Sequence, residues 1–268
     1  MAAASGSEAA GADTGGAGNM EESFTRIETK FLLTVAQAAA MEEGLRRRGF
    51  SRMDFGSPRV QSLYFDTRDY ALIRASLERP AFKEKLRLRA YGEPGTLETS
   101  YLEIKRKFRK TGYKRRASLP LEQALECLTA GQLPPEAGQV GREAQWMLGR
   151  YDLRPAALIG CERDAWTCPE EPEVRVTFDR NITFRDRNMD MNRKTAGYPL
   201  LAAGQRLMEI KTGGAFPLWL SLLLAENGAR RTHFSKYGTA YREYIRPKKE
   251  GIEGDGANCS EVSLPVGA

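Results

Sequence analysis

Alternating apolar and charged residues are the feature that most constrains the fold of this chain. In the run 83–89 every second residue is basic, while Leu86 and Leu88 occupy positions between them. Successive side chains of a strand point to opposite faces of a sheet, so this run predicts a strand with one basic and one apolar face. The same parity recurs in four further segments: 26–31, 101–107, 174–179 and 208–211. An antiparallel sheet with one charged face is therefore expected.

The positive charge is concentrated in one part of the chain. Residues 83–116 contain twelve Lys or Arg and four Asp or Glu, a net charge of +8, whereas the whole chain carries +6 and the remainder therefore −2. Two like charges about 7 Å apart on one strand face repel by about 2 kcal/mol at an effective dielectric constant near 20. A solvated charged face is one explanation. A barrel with its charged faces inward, forming a basic tunnel around a slim polyanion, is the other.

Four segments show the pattern of helices that would pack outside such a sheet. Thr34 is placed to cap a helix over 35–48, whose last turn carries three arginines before Gly49. The other three predicted helices span 120–129, 142–150 and 217–228. Strands and helices together predict the α+β class, with an eight-stranded antiparallel β-barrel tunnel as the architecture suggested by the resemblance described below.

Composition and motifs exclude several classes of protein. No apolar run approaches the roughly 20 residues of a membrane-spanning helix, and the first twenty residues lack the basic region of a signal peptide. One His and four Cys without a C-x-x-C pair argue against zinc, and no Walker A motif is present. We predict one cytoplasmic domain over 23–246, between disordered tails at 1–22 and 247–268, with no membrane segment of its own.

The few carboxylates on the charged faces recur in a fixed spacing. Each of three glutamates lies two residues before a lysine: Glu28 and Lys30, Glu103 and Lys105, and Glu209 and Lys211. In a strand this spacing places carboxylate and ammonium on one face. Carboxylates that bind Mg²⁺ or Mn²⁺ beside Lys and Arg that bind phosphate oxygens are typical of phosphoryl transfer. Simple neutralisation of neighbouring lysines is the alternative explanation for each glutamate.

Seven short motifs resemble one family. In chain order they are RIETKFLL from residue 26, SLYFDT from 62, KLRLR from 85, LEIKRK from 102, RVTFD from 175, MEIK from 208 and FSKY from 234. This order resembles the catalytic domain of vacuolar transporter chaperone (VTC) proteins, a member of the triphosphate tunnel metalloenzymes (CYTH-like superfamily). The resemblance covers about residues 24–245.

The resemblance implies an eight-stranded tunnel that binds triphosphate or polyphosphate with divalent Mn²⁺ or Mg²⁺. It further implies a transferase that makes polyphosphate from ATP. The implied metal ligand is Glu209, with Glu28 and Glu103 as further candidates. The implied phosphate ligands are Lys30, Arg87, Arg89, Lys105, Arg116, Arg163, Arg175 and Lys236, with Lys211 and Lys85 as additional contributors. Arg115 and Arg116 must point to opposite faces, and the choice of Arg116 rests on the motif.

Three alternatives to a polymerase stay open. Tunnel triphosphatases, which hydrolyse triphosphate, carry Glu-x-Glu-x-Lys where this chain has Arg26-x-Glu28-x-Lys30, and replacing a carboxylate by Arg favours a phosphate acceptor over water. A non-catalytic polyphosphate-binding module is the second. A nucleic-acid-binding surface with interleaved aromatics is the least favoured, because strict parity suits an enclosed site better. VTC proteins of eukaryotes carry a membrane portion, so export of a product from this chain would need a separate membrane partner.

Overall fold

The computed structural model describes residues 27–249 apart from positions 55, 79 and 110. Its strands are, in chain order, β1 (Ile27–Thr34), β2 (Ser51–Arg52), β3 (Arg59–Asp66), β4 (Phe82–Tyr91), β5 (Thr99–Phe108), β6 (Thr111–Pro120), β7 (Arg154–Thr167), β8 (Arg175–Arg185), β9 (Tyr198–Pro199), β10 (Gln205–Thr212) and β11 (Arg231–Thr232). Its α-helices are α1 (Val35–Arg47), α2 (Ala71–Leu77), α3 (Leu121–Ala130), α4 (Gly138–Tyr151), α5 (Leu218–Glu226), α6 (Lys236–Ala240) and α7 (Arg246–Lys249).

All eleven strands belong to one antiparallel sheet. The hydrogen-bonded order is β11-β1-β10-β8-β7-β3-β4-β5-β6, with β2 beside β7 and β9 beside β8. Eight of these strands have eight residues or more, and the strands and helices together confirm the predicted α+β class. The predicted closed barrel is not formed by the described strands: β6 is a free edge, and β11 pairs with the outer edge of β1 through Lys30 and Phe31.

The sheet nevertheless curls strongly. Six strand intervals of about 4.8 Å would put β1 and β5 about 29 Å apart on a flat sheet. Burial raises the pKa of Glu28 on β1, but nearby lysines outweigh this effect and lower it. Among these lysines, Lys105 on β5 contributes most. The charge of Lys30 on β1 likewise helps to lower the pKa of Lys85 on β4. Since charges act strongly only over about 10 Å in salt solution, the two ends of the sheet must face each other across a concave surface.

The convex face of the sheet carries most of the core. One apolar cluster places Leu86, Leu88 and Leu102 under α3 and α4. A second places Phe31 and Phe178 under α1 and α5. Both clusters use the apolar strand positions predicted from the alternation. The helices therefore pack outside the sheet and leave the charged positions on the concave face.

A third apolar cluster covers one end of the concave face. Tyr237 and Ala240 of α6, with Tyr241 of the π-helical turn Tyr241–Ile245, pack on Tyr64 of β3 and Phe184 of β8. The chain keeps Phe184 on this face because a bulge shifts the register between β7 and β8, where Asn181 adopts φ 49°. Helix α6 therefore lies across the concave face, whereas all the predicted helices were expected to pack outside the sheet.

The predicted helices differ from the observed ones mainly at their ends. Helix α1 begins after Thr34, whose hydroxyl accepts a hydrogen bond from the Gln37 amide, as predicted for its cap. Helix α4 begins four residues before the predicted start. Helices α2 and α6 were missed because five to seven residues are too few for helical periodicity. The predicted domain bounds, 23–246, stay a prediction. Helix α7 extends to Lys249, three residues beyond the predicted boundary, and the rest of both predicted tails lies outside the described residues. Among the helices of the described ranges, none is long and apolar enough to cross a membrane.

Candidate functional site

The concave face gathers charged side chains from seven strands and one helix. Residues directly opposite each other in an antiparallel pair share a face, and the register aligns Lys30 with Glu209, Lys211 with Arg175, and Arg87 with Glu103. Every predicted site residue lies on this face or at its rim: Glu28, Lys30, Arg87, Arg89, Glu103, Lys105, Arg116, Arg163, Arg175, Glu209, Lys211 and Lys236.

Glu209 lies at the centre of one group of charges, which we call the Glu209 cluster (Lys30, Arg163, Asp179, Glu209 and Lys236). Its Oε1 is 3.3 Å from the Lys30 Nζ and 3.2 Å from the Lys236 Nζ, and its Oε2 is 3.5 Å from an Arg163 guanidinium nitrogen. Burial disfavours the charged carboxylate, but these cations outweigh it and hold the pKa of Glu209 well below its usual range. Glu209 is therefore ionised at neutral pH.

Asp179 is a member of this cluster that the sequence analysis did not select. It is fully buried, accepts hydrogen bonds of 2.6 and 2.7 Å from Arg163, and lies 2.5 Å from the Lys236 Nζ. The alternation of the segment 174–179 places Asp179 on the same strand face as Arg175. This pattern could have identified Asp179 as a residue of the charged face. The structure shows that Asp179 fixes the direction of both cationic side chains.

Glu28 and Lys211 extend the Glu209 cluster toward the rim. The Lys30 Nζ lies 3.4 Å from Glu28 as well as beside Glu209, and Lys211 lies 3.9 Å from the other Glu28 oxygen. Burial lowers the pKa of Lys211 despite these carboxylates. Two carboxylates, those of Glu28 and Glu209, thus share the ammonium group of Lys30.

A second group lies on the opposite wall, and we call it the Arg87 cluster (Tyr64, Arg87, Arg89, Glu103 and Lys114). Arg87 donates a 2.6 Å hydrogen bond to Glu103 and a 3.0 Å hydrogen bond to the Tyr64 hydroxyl. Lys114, another residue the sequence analysis did not select, is 2.8 Å from the second Glu103 oxygen. Burial opposes ionisation of Glu103, but Arg87, Arg89 and Lys114 lower its pKa to about 2.

Tyr64 connects this cluster to α6. Its ring stacks on Tyr237 at 4.8 Å, and the Tyr237 hydroxyl donates a 2.8 Å hydrogen bond to buried Asp66. Asp66 also accepts hydrogen bonds from the Thr67 and Leu72 amides, so it holds the turn between β3 and α2. The helix that carries Lys236 is therefore anchored to the strand that carries Tyr64.

The neighbouring arginines of β6 diverge as strand geometry requires. Arg116 lies over the Tyr101 ring at 5.2 Å on the concave face, whereas Arg115 pairs with Glu143 of α4 on the convex face. Arg89 donates a 3.1 Å hydrogen bond to Ser62. Two further predicted phosphate ligands are exposed on the same face: Lys105 of β5, opposite Lys85, and Arg175 of β8, opposite Lys211.

The oxygen donors near Glu209 fit a divalent cation that arrives with phosphate. Within the described ranges no three His, Cys, Asp or Glu side chains form a metal-binding group. Glu28 and Glu209 supply two carboxylates, and the buried Thr177 hydroxyl, directly opposite Glu209, has no hydrogen-bond partner among the described residues. Mg²⁺ is commonly held by one or two carboxylates plus substrate phosphates. Glu103, the third predicted metal ligand, lies on the other wall beside Arg87 and Lys114.

A family model described as the VTC domain matches residues 25–245. The chain belongs to the VTC domain family. The match confirms the resemblance seen in the seven motifs and spans the described strands and helices almost entirely. No curated protein matches the sequence.

Two solved structures align with this VTC domain at low sequence identity. A proposed adenylate cyclase of Bacillus halodurans aligns with a TM-score of 0.50 and 14% identity, covering 82% of this chain and 97% of that protein. The protein PH1819 of Pyrococcus horikoshii aligns with a TM-score of 0.44 and 15% identity, covering 83% and 99%. At 14% identity the likeness to the first of these structures concerns the fold alone. The family match supports a triphosphate-tunnel enzyme.

Proposed function

We propose that this VTC domain is a metal-dependent polyphosphate polymerase that transfers the γ-phosphate of ATP to a growing polyphosphate chain. One observation carries the proposal: Lys30, Arg163 and Lys236, from β1, β7 and α6, converge within 3.5 Å of Glu209, while Arg87 and Lys114 flank Glu103 on the same concave face. A thin polyanion fits between such walls. The family match and the basic surplus of the face support the same substrate class.

The charge of the face supports an anionic ligand of several phosphates. The Glu209 and Arg87 clusters, together with Glu28, Lys85, Lys105, Arg116, Arg175 and Lys211 of the same face, contain eleven Lys or Arg and four Asp or Glu. The four carboxylates hold individual cations in position but leave a surplus of seven positive charges. Because rows of like charges repel, a bound polyphosphate would stabilise the face that it occupies.

Transfer to a phosphate acceptor requires little proton chemistry. The attacking oxygen of a polyphosphate end is already anionic at neutral pH, so no general base is needed. The protein's contribution is to hold two polyanions in line and to stabilise the charge of the transferring phosphoryl group. Lys30, Arg163 and Lys236 on one wall, with Arg87 and Arg89 on the other, are arranged to do this.

Glu209 and Glu28 are the residues that would hold Mn²⁺ or Mg²⁺. Such an ion, when bound, neutralises charge on the phosphate oxygens. Glu209 also orients Lys30 and Lys236, so its replacement is expected to affect both the ion and the phosphate ligands. Asp179 keeps Arg163 and Lys236 directed at the same point.

The direct test is to incubate the purified protein with ATP and Mn²⁺ or Mg²⁺ and to measure long-chain polyphosphate and orthophosphate together. Polymer formation that is lost in Arg87→Ala and Lys236→Ala, with unchanged thermal unfolding, is the expected result. Orthophosphate without polymer would replace the proposal by hydrolysis. Tight polyphosphate binding with neither product would replace it by a binding module. Full activity of Glu209→Ala would remove the metal assignment.

The cytoplasmic location and the separate membrane partner for export stay predictions.

A further inference from the structure

The hydroxyl group of Tyr64 lies among the cations of the concave face. Tyr64 is directly opposite Arg87 in the β3–β4 pair, and only 8% of the residue is exposed. Its oxygen accepts a 3.0 Å hydrogen bond from an Arg87 guanidinium nitrogen. Burial raises the pKa of this hydroxyl, but Arg87, Arg89 and Lys85 outweigh burial and lower it to about 8. At neutral pH the hydroxyl therefore keeps its proton in surroundings that are rich in positive charge.

The proton of this hydroxyl has no acceptor within the described ranges. A phenol can donate one hydrogen bond as well as accept, and the hydrogen bond that Tyr64 makes there is one that it accepts. The cations around it cannot help, because Arg and Lys side chains have no acceptor atom. Glu103 takes its hydrogen bond from Arg87. A buried donor without an acceptor is unfavourable, so this position suits a ligand that brings acceptor oxygens.

The ring of Tyr64 is held in place before any ligand arrives. It stacks on the Tyr237 ring at 4.8 Å, and the Arg87 guanidinium carbon lies 5.8 Å from its centre. Tyr237 is itself fixed by its 2.8 Å hydrogen bond to buried Asp66. The position of the donor is thus set in advance, which lowers the entropic cost of binding.

We propose that Tyr64 is a further phosphate ligand, whose hydroxyl donates a hydrogen bond to an oxygen of the phosphate group bound by Arg87. Phosphate oxygens at neutral pH are acceptors and supply the partner that the hydroxyl lacks. A bound polyanion also offsets the field of the neighbouring cations, which keeps the hydroxyl protonated. The inference rests on the proposed function, since it requires phosphate on the concave face, and it assigns a neutral donor to a wall otherwise built from cations.

The first experiment measures the dissociation constant of tripolyphosphate by calorimetry with Mg²⁺ at pH 7, using the full chain and its variants. Tyr64→Phe removes the hydroxyl and keeps the ring that packs on Tyr237. Tyr113→Phe is the matched control, because Tyr113 is half exposed and precedes Lys114 on β6, so it points to the convex face. We expect Tyr64→Phe to weaken binding about tenfold, the loss of one hydrogen bond to a charged group, and the control to leave it unchanged.

A double-mutant cycle with Arg87→Ala separates direct contact from positioning, because Tyr64 also accepts a hydrogen bond from Arg87. If the hydroxyl contacts phosphate itself, Tyr64→Phe should weaken binding further, by about threefold or more, in the Arg87→Ala background. No further loss in that background would show that Tyr64 acts only by orienting Arg87, and would overturn the inference.

The remaining outcomes separate this inference from the proposed function. Unchanged binding in Tyr64→Phe, or equal losses in Tyr64→Phe and Tyr113→Phe, overturns the role of Tyr64 and leaves the polymerase proposal standing. Failure of the wild-type protein to bind tripolyphosphate overturns both together.

Discussion

Arg115 and Arg116 show how one step along a strand separates two functions. Arg116 lies on the concave face over Tyr101, and Arg115 pairs with Glu143 of α4 on the convex face. A hydrogen bond to a charged group contributes about 1.5–3 kcal/mol, so Arg116→Ala is expected to weaken tripolyphosphate binding at least about tenfold. Arg115→Ala is the control, and calorimetric titration measures both. Equal losses in the two variants would contradict the assignment of faces.

The pH dependence of phosphate binding depends on two groups of the concave face. Burial lowers the pKa of Lys85 to about 8. Burial opposes ionisation of Tyr64, but Arg87, Arg89 and Lys85 outweigh it and lower its pKa to about 8. As pH rises through 8, Lys85 loses its positive charge and Tyr64 gains a negative charge. Both changes disfavour a polyanion, so tripolyphosphate affinity should fall between about pH 7 and 9.

The control for this pH dependence is the double variant Lys85→Gln and Tyr64→Phe, in which neither group titrates. Tripolyphosphate itself also binds protons, and its own contribution remains in the double variant. Affinities should be measured by competition at constant ionic strength. A fall of the same steepness in the double variant and the wild-type protein would show that Lys85 and Tyr64 are not responsible.

At the scale of elements, α1 offers a defined test of its start. The Thr34 hydroxyl accepts a hydrogen bond from the Gln37 amide, and the Gln37 side chain accepts one from the Thr34 amide. Loss of such a cap costs about 1 kcal/mol, so Thr34→Ala should lower the free energy of unfolding by about that amount in urea titrations. Thr34→Ser keeps the hydroxyl and should retain most of the stability. An equal loss in both variants would indicate that the methyl group matters instead.

Helix α6 illustrates what local sequence patterns cannot provide. It spans only five residues, and its place across the concave face depends on the Tyr237 bond to Asp66, 171 positions away in the sequence. By contrast, β4 and β5 were predicted with the correct faces, because alternation needs no distant partner. The same distinction holds in the site: Lys236 was found from a motif, whereas Asp179 was recognised only through its contacts with Arg163 and Lys236.

At the scale of the whole molecule, the curl of the sheet makes a direct prediction. Lys105 on β5 and Lys211 on β10 lie five strand intervals apart along the sheet, which would be about 24 Å on a flat sheet. The charge of Lys105 nevertheless helps to lower the pKa of Lys211. A short amine-reactive cross-linker should therefore join these two lysines, as identified by mass spectrometry of the digested protein.

Saturating tripolyphosphate should suppress this cross-link if the ligand occupies the space between the walls. Cross-links within the exposed outer surface provide the control for reagent activity. Absence of the Lys105–Lys211 cross-link in the free protein, with the control links present, would contradict the curled sheet.

The sequence by itself determined which residues share a face and that this face is basic, because alternation and composition are local properties of the chain. It also predicted four of the helices and, through seven motifs, the family. Only the tertiary structure decided that the sheet curls without closing and that α6 covers one end. It also showed that four carboxylates position the cations. These features depend on contacts between residues far apart in sequence, whose energies no local pattern contains.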